Sequence, residues 1–143
     1  MRYAGFWKRA NAYGYDVIIV HLLALTPMVL FYPFPTLEQV VRLDPRVETW
    51  ISTFGNLYLV FSAFYNIGLV AGPQQATLGK RYCGVKVVMA DGAKPTILQA
   101  TTRHATSGLS MVLGGLGFLP VLFTRQKTAL HDMLASTRVI RRD

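Results

Sequence analysis

The chain has 143 residues, which is enough for one domain that we assign to residues 1-143. Hydrophobic residues make up 52% of it and charged residues only 15%. Because soluble domains carry about 25% charged residues, this composition excludes an ordinary soluble protein and indicates a membrane protein. Cys83 is the only cysteine, which excludes an intrachain disulfide and a site built from several cysteine ligands.

The net charge of +8 narrows the class of partner. The basic residues border the apolar stretches instead of forming a nucleic-acid recognition motif. This pattern favours anionic lipid headgroups and predicts no nucleic-acid partner.

The chain begins with an amphipathic approach to the membrane, residues 2–15, in which aromatic side chains alternate with small and basic ones. An apolar stretch follows and predicts a first crossing at about 15-32, with Pro27 inside it. No small-residue cleavage site follows the stretch, so we expect it to remain in the mature protein. The basic amino terminus predicts a cytoplasmic start.

A net acidic segment, residues 33–49, separates this crossing from a second one at about 50-70. The segment reads as a partly helical loop on the non-cytoplasmic side. Within the second crossing Tyr58, Ser62 and Asn66 follow one another at four-residue spacing. Such a stripe is typical either of hydrogen bonds between helices or of a substrate-lining face.

The third apolar stretch is ambiguous. Residues 99-124 could form a further crossing, but basic residues flank the stretch on both sides, which favours a cytoplasmic position for both flanks. Gly114-Gly115 and Pro120 offer places where a helix could break and turn back, so a re-entrant or broken element stays open beside a simple crossing.

Two short β-branched segments lie outside the apolar stretches. Residues Val85 to Met89 are followed by Asp91-Gly92, a hairpin-type turn pair, and predict a surface strand. In residues 136–141 polar and apolar side chains alternate, and the segment includes Val139-Ile140, so it predicts a second strand. The two could pair if they lie on one face of the membrane. The predicted fold is therefore an all-α, polytopic helical bundle with an interfacial N-terminal helix and a small cytoplasmic strand pair.

Asp16 stands at the entrance of the first apolar stretch. An ionisable group at this position is either an anchor in the wet headgroup layer or a working carboxylate inside the membrane. Arg9 precedes it by seven residues, so the two share a helix face if the helix begins early. We therefore expect Arg9 and Asp16 to interact.

Three local patterns occur in order along the chain: Gly5-Phe6-Trp7-Lys8-Arg9 with Asp16, then Thr77-Leu78-Gly79-Lys80-Arg81, then Leu130-His131-Asp132 before the last strand. Together they make the chain resemble the RDD family of small bacterial membrane proteins, named after one arginine and two aspartates. The matching positions are Arg9, Asp16 and Asp132. The resemblance covers nearly the whole chain and implies a multi-pass protein of the bacterial inner (plasma) membrane. Some family members have been associated with sodium–proton exchange and others with accessory roles beside membrane complexes.

Two functions follow as hypotheses. The first is a transporter that exchanges a monovalent cation for protons through Arg9, Asp16 and Asp132; so small a chain would need to form a homo-oligomer. The second is a non-transporting accessory protein that packs beside another membrane protein and uses the same residues as a structural polar cluster. Asp132 lies outside the apolar stretches, so we expect it to cap a turn or to bind a base such as Arg81 or Arg9.

Other chemistry has little support in the sequence. Secondary site candidates are His131, Arg81 and Asn66. The three histidines lack metal-ligand spacing, and we expect no metal, no cofactor and no enzymatic activity.

Overall fold

The computed structural model describes residues 2–112 and 116–142. It is mostly helical, with two short strands. The elements are α1 (Phe6–Phe31), α2 (Leu37–Val41), α3 (Pro45–Ala71), α4 (Leu78–Tyr82), β1 (Val85–Met89), α5 (Ile97–Val112), a 3₁₀ helix (Leu116–Phe118), α6 (Pro120–Phe123), α7 (Leu130–Leu134) and β2 (Thr137–Arg141). The chain divides into two compact units: unit 1 is Met1–Asp16 with Ala63–Asp143, and unit 2 is Val17–Ser62.

Unit 2 is an antiparallel pair of helices formed by the later part of α1 and the earlier part of α3. The His21 ring lies 4.7 Å from the Tyr58 ring, and the Phe34 and Trp50 rings lie 5.3 Å apart. Between the helices, Thr36 caps α2 in a capping box, so the connecting segment is partly helical as predicted.

Helices α1 and α3 are the two candidate membrane spans among the described residues. They contain 26 and 27 residues, and their apolar windows have mean hydropathies of 1.8 and 1.4. Only 22% and 11% of these windows is buried, which argues against core helices of a soluble protein. The predicted crossing at about 50-70 falls inside α3, and the one at about 15-32 ends one residue beyond α1.

Unit 1 is built around the strand pair. Strand β1 pairs antiparallel with β2, with Val85 opposite Arg141 and Met89 opposite Thr137. Tyr3 forms a further bridge to Ile140. The predicted strand pair is confirmed, and β1 has the predicted bounds. The core beneath it contains Ala4, Ala12, Val70, Val85, Val87, Ala100 and Val139.

One element differs from the prediction, and for the third apolar stretch the structure supports one of the two alternatives that the sequence left open. The interfacial N-terminal helix is not separate: α1 runs from Phe6 to Phe31 without interruption. At the junction with the crossing Gly14 weakens the helix by only about 1 kcal/mol, and the proline of α1, Pro27, lies three turns further on. The third apolar stretch is not one straight crossing, since the 3₁₀ helix and the four-residue α6 replace its second half. The predicted break at Gly114-Gly115 lies outside the described residues.

Helix α5 is amphipathic in the reverse sense to a helix of a soluble protein. Its outward side carries Ile97, Leu98 and Val112, which are 70%, 74% and 84% exposed. Its inward side carries Ala100 of the core together with polar groups: Arg103 reaches a buried aspartate, and Ser110 is buried. Large apolar side chains of α5 thus lie on its exposed side.

Candidate functional site

The first turns of α1 supply two of the charged residues of the site. Arg9, Ala12 and Asp16 recur at three- and four-residue spacing and therefore lie on one face of the helix. Ala12 and Asp16 are buried and Arg9 is nearly so. This face looks into unit 1, where two separate clusters of polar residues form around two carboxylates.

In the described part of the chain, four hydrogen-bond donors surround the carboxylate of Asp16. Oδ1 accepts from the Tyr65 hydroxyl and from the Gly79 backbone N–H, both at 2.8 Å. Oδ2 accepts from the Thr77 hydroxyl at 2.5 Å and from Lys80 Nζ at 3.0 Å. Both oxygens are therefore satisfied, which is what a buried carboxylate needs to remain charged.

Gly79 makes this arrangement sterically possible. A Cβ at this position would lie 2.7 Å from Asp16 Oδ1 and would also collide with the Ala12 carbonyl oxygen. The Gly79 backbone can donate to Asp16 only because the residue has no side chain.

Lys80 and Tyr65 connect the Asp16 cluster to its surroundings. Lys80 Nζ also donates to the Thr77 hydroxyl at 3.0 Å, and its side chain is 12% exposed. Burial lowers the pKa of Lys80, and the charge of Asp16 opposes that effect. The Tyr65 hydroxyl accepts from the Leu78 N–H at 3.0 Å, so it joins the end of α3 to the start of α4.

The second cluster surrounds Asp132, which is fully buried. Its Oδ2 forms an ion pair with Arg9 Nη1 and accepts from the Ala129 N–H at 3.2 Å. Its Oδ1 accepts from Arg103 Nε at 2.9 Å. Burial alone would raise the pKa of Asp132, but the charges of Arg103 and Arg9 outweigh burial and hold that pKa well below its usual range.

His131 lies beside this cluster as a neutral group. Its Nε2 is 3.6 Å from Asp132 Oδ1, and its ring meets Phe118 edge-on at 5.0 Å. Nδ1 is buried without a hydrogen-bond partner among the described residues. Burial, followed by repulsion from Arg103, lowers the pKa of His131 to about 3, so the ring stays uncharged near neutral pH.

The predicted partnership of Arg9 with Asp16 is wrong. Seven residues along a helix separate them by about 10 Å, and each finds another partner closer by. Arg9 binds Asp132 and is thus one of the two bases predicted as partners of that aspartate. The Nε of Arg9 also donates to the Ala4 carbonyl at 3.1 Å. Asp132 also caps the start of α7 through Ala129, as predicted. Arg81, the other predicted base, is exposed.

Sequence reasoning missed several residues of the two clusters. Thr77, Gly79 and Lys80 lie within the second of the three local patterns, which is the signal that could have found them. Arg103 had a weaker signal, as a basic residue at the edge of an apolar stretch. Of the secondary candidates, His131 lies at the Asp132 cluster, and Asn66 is half-buried next to Tyr65.

Comparison with known proteins adds the family context. The sequence model of the RDD family matches residues 3–136 of this chain. The uncharacterized protein YxaI of Bacillus subtilis (strain 168) is 29% identical, over 96% of this chain and 96% of the relative. The uncharacterized protein YckC of the same organism is 31% identical, over 95% of this chain and 83% of the relative. No solved structure matches the chain.

Proposed function

We propose a non-transporting accessory role beside another membrane protein for this chain, which belongs to the RDD family of small bacterial membrane proteins. In this role Arg9, Asp16 and Asp132 are structural. They hold together the basic unit 1.

The observation that carries this proposal is the saturation of both carboxylates. An exchanger needs a carboxylate that can give up its partner and take a proton or a cation in turn. Here Asp16 accepts four hydrogen bonds, and Asp132 accepts from two arginines and a backbone N–H. Opening either cluster would leave buried bases without a counter-charge, which costs about 3–5 kcal/mol.

The distribution of charge supports a cytoplasmic location for unit 1. This unit contains thirteen of the fifteen Lys and Arg residues of the chain. Cytoplasmic segments of membrane proteins carry such an excess of basic residues. Both termini and the segment that includes β1 belong to unit 1 and meet in its sheet, so we propose that all three face the cytoplasm.

A flux measurement tests the accessory role against transport. The full chain is reconstituted in vesicles that contain a pH-sensitive dye, and sodium and potassium gradients are imposed in turn. We expect proton movement no faster than in protein-free vesicles, while a sodium–proton exchanger in parallel vesicles gives a clear signal. Cation-driven flux in the wild type that a folded Asp16→Asn variant lacks would overturn the proposal.

Photo-crosslinking in native membranes tests the partner directly. Leu59 in unit 2 is 66% exposed, whereas Met28 in the same unit is fully buried. A photoreactive residue at position 59 should give one discrete adduct, and the same residue at position 28 should give none. Adducts only with lipid at position 59 would argue against a protein neighbour on this face.

Cation–proton exchange by a homo-oligomer remains the second candidate, because one observation favours it. Lys80 is buried against Asp16, and burial lowers the pKa of that lysine. A lysine that can lose its proton could release Asp16 for a cation. In that case Lys80→Gln should keep the fold and change the pH dependence of flux, and the active form should be larger than a monomer.

A further inference from the structure

A cavity of about 510 Å³ opens in unit 1 at the end of the strand pair. Its wall combines the loop before α7 with the start of β2 and the end of β1. The lining residues are Ala90, Thr124, Arg125, Gln126, Thr128, Met133, Ser136 and Arg138. Its volume falls in the range of sites that take small ligands, about 300–1,000 Å³.

The charge of the lining is of one sign. Arg125 and Arg138 are both part of the wall, and none of its described residues is acidic. Among the described residues neither arginine forms an ion pair with a carboxylate, unlike Arg9 and Arg103 nearby. The Asp132 cluster cannot offset them, because one carboxylate there already faces two arginines. The cavity is therefore an electropositive site without a counter-charge of its own.

The remaining polar groups add donors around the two guanidinium groups. Thr128 and Ser136 contribute hydroxyls, and Gln126 contributes an amide. The Thr124 hydroxyl, also part of the wall, donates within the loop to the Thr128 carbonyl at 3.5 Å. Such a set of donors suits an anion with three or more oxygens better than a carboxylate, which has two. Arginine in particular matches the geometry of phosphate.

The loop that carries Arg125 has a defined shape. The Thr124 hydroxyl accepts from the Thr128 N–H at 2.9 Å, and the Lys127 N–H donates to the Thr124 carbonyl at 3.0 Å. Lys127 adopts a positive φ of 49° and is not part of the cavity wall. Its Nζ lies instead 3.8 Å from where a Cβ on Gly5 would be. The same loop thus places one basic side chain in the cavity and a second one outside it.

Exposed apolar side chains adjoin the cavity in sequence. Phe123, which immediately precedes the lining residues Thr124 and Arg125, is 83% exposed. Met133, itself part of the wall, is 52% exposed and is followed by Leu134 at 58%. Apolar surface beside an electropositive cavity is the combination that a phospholipid requires.

We propose that this cavity binds a phosphate group, carried either by the headgroup of an anionic phospholipid or by a small soluble phosphate ester. Arg125 and Arg138 hold the phosphate oxygens, and the hydroxyls of the wall complete their hydrogen bonds. The site does not depend on whether the chain transports ions or acts as an accessory protein. It gives the basic unit a defined ligand in place of diffuse attraction to the membrane surface.

The test measures binding to the full chain in neutral maltoside micelles by titration calorimetry at low ionic strength. The probes are inorganic phosphate, a short-chain phosphatidylglycerol, and the matching short-chain diacylglycerol, which lacks the phosphate. The variants are Arg125→Gln and Arg138→Gln, with Lys127→Gln as the control that removes the same charge from the same loop. Arg125 is exposed, so its variant should fold normally, and a melting curve checks each protein.

We expect phosphatidylglycerol to bind and diacylglycerol to bind far more weakly. Removing one charge-assisted hydrogen bond should weaken the phosphatidylglycerol affinity about tenfold in each arginine variant, and about twofold or less in the Lys127 control. Inorganic phosphate that binds by itself and loses affinity in the same variants supports a soluble ester as ligand; binding of the lipid alone supports the headgroup. Equal losses in Arg125→Gln and Lys127→Gln, or equal binding of diacylglycerol, would overturn the proposal.

Discussion

Replacing Asp132 with asparagine should destabilise unit 1 more than any other change of one side-chain charge. Asp132 is fully buried, and the side chains of Arg9 and Arg103 that bind it are only 10% and 12% exposed. Asparagine preserves the volume of the side chain and removes the charge. Two buried guanidinium groups then lack a counter-charge, and the asparagine side chain has one acceptor oxygen where the carboxylate has two.

The magnitude follows from the cost of leaving a buried charge unpaired. Breaking one buried ion pair costs about 3–5 kcal/mol, and Asp132→Asn affects two bases at once. We therefore expect the free energy of unfolding to fall by about 4 kcal/mol or more. In a protein of this size that loss lowers the melting temperature by on the order of 10 °C.

Circular dichroism melting curves in mild detergent measure the effect. The matched control is Asp91→Asn, since Asp91 is exposed and accepts one hydrogen bond from the Ala93 N–H at 2.9 Å. The control should change stability by about 1 kcal/mol or less. The double variant Asp132→Asn with Arg9→Gln should lose less than the sum of the two single variants. A loss under about 1 kcal/mol for Asp132→Asn, or simple additivity with Arg9→Gln, would refute the reasoning.

Three further predictions concern the rest of the two clusters. Gly79→Ala should lower stability by about 1–3 kcal/mol because its Cβ meets Asp16 Oδ1; Gly14→Ala, where a Cβ meets nothing within 4 Å, should be neutral or stabilising in the same melting assay. Tyr65→Phe removes a donor to Asp16 and an acceptor for a backbone N–H, and should cost about 1–3 kcal/mol in chemical denaturation. His131 has a folded-state pKa of about 3 against 6.5 when unfolded, so the unfolded state takes up the proton first and stability falls as the pH drops below 6.5. That loss should approach about 1.4 kcal/mol per pH unit between pH 6 and 5 and should disappear in His131→Gln; an unchanged slope would contradict it.

Local sequence patterns predicted the elements whose first and last residues are determined by neighbouring residues in the chain. Strand β1 has the predicted bounds because a β-branched run lies between Gly84, at a positive φ of 66°, and a turn at Asp91-Gly92. Helix α5 begins at Ile97, directly after Pro95 and Thr96, and the Thr96 N–H donates to the Gln99 side chain at 2.9 Å.

Partners that come from distant parts of the chain were not predictable in this way. The spacing of Arg9 and Asp16 correctly indicated one helix face, but a shared face does not say which bases arrive opposite it. Lys80 reaches Asp16 from 64 residues away, and Arg103 reaches Asp132 from 29 residues away on another helix. These contacts depend on the tertiary fold, which local sequence patterns do not give.

The third apolar stretch shows a related limit. Hydropathy counts apolar residues and is blind to which side of a helix they occupy. In α5 the polar groups Arg103 and Ser110 lie inward and Ile97 and Leu98 lie outward. A count over the stretch therefore resembles a crossing, although no candidate span is found there among the described residues.

The arginine and two aspartates that match the family name do not form one triad in this protein. Arg9 belongs with Asp132, while Asp16 belongs with Lys80. The two clusters also differ in charge: Asp16 and Lys80 balance, whereas Asp132 faces two arginines and leaves one excess positive charge. Each carboxylate permits the burial of bases that could not be buried alone. Lys80 and Arg103 therefore belong to the same structural system as the three named residues: Lys80 balances Asp16, and Arg103 shares Asp132 with Arg9.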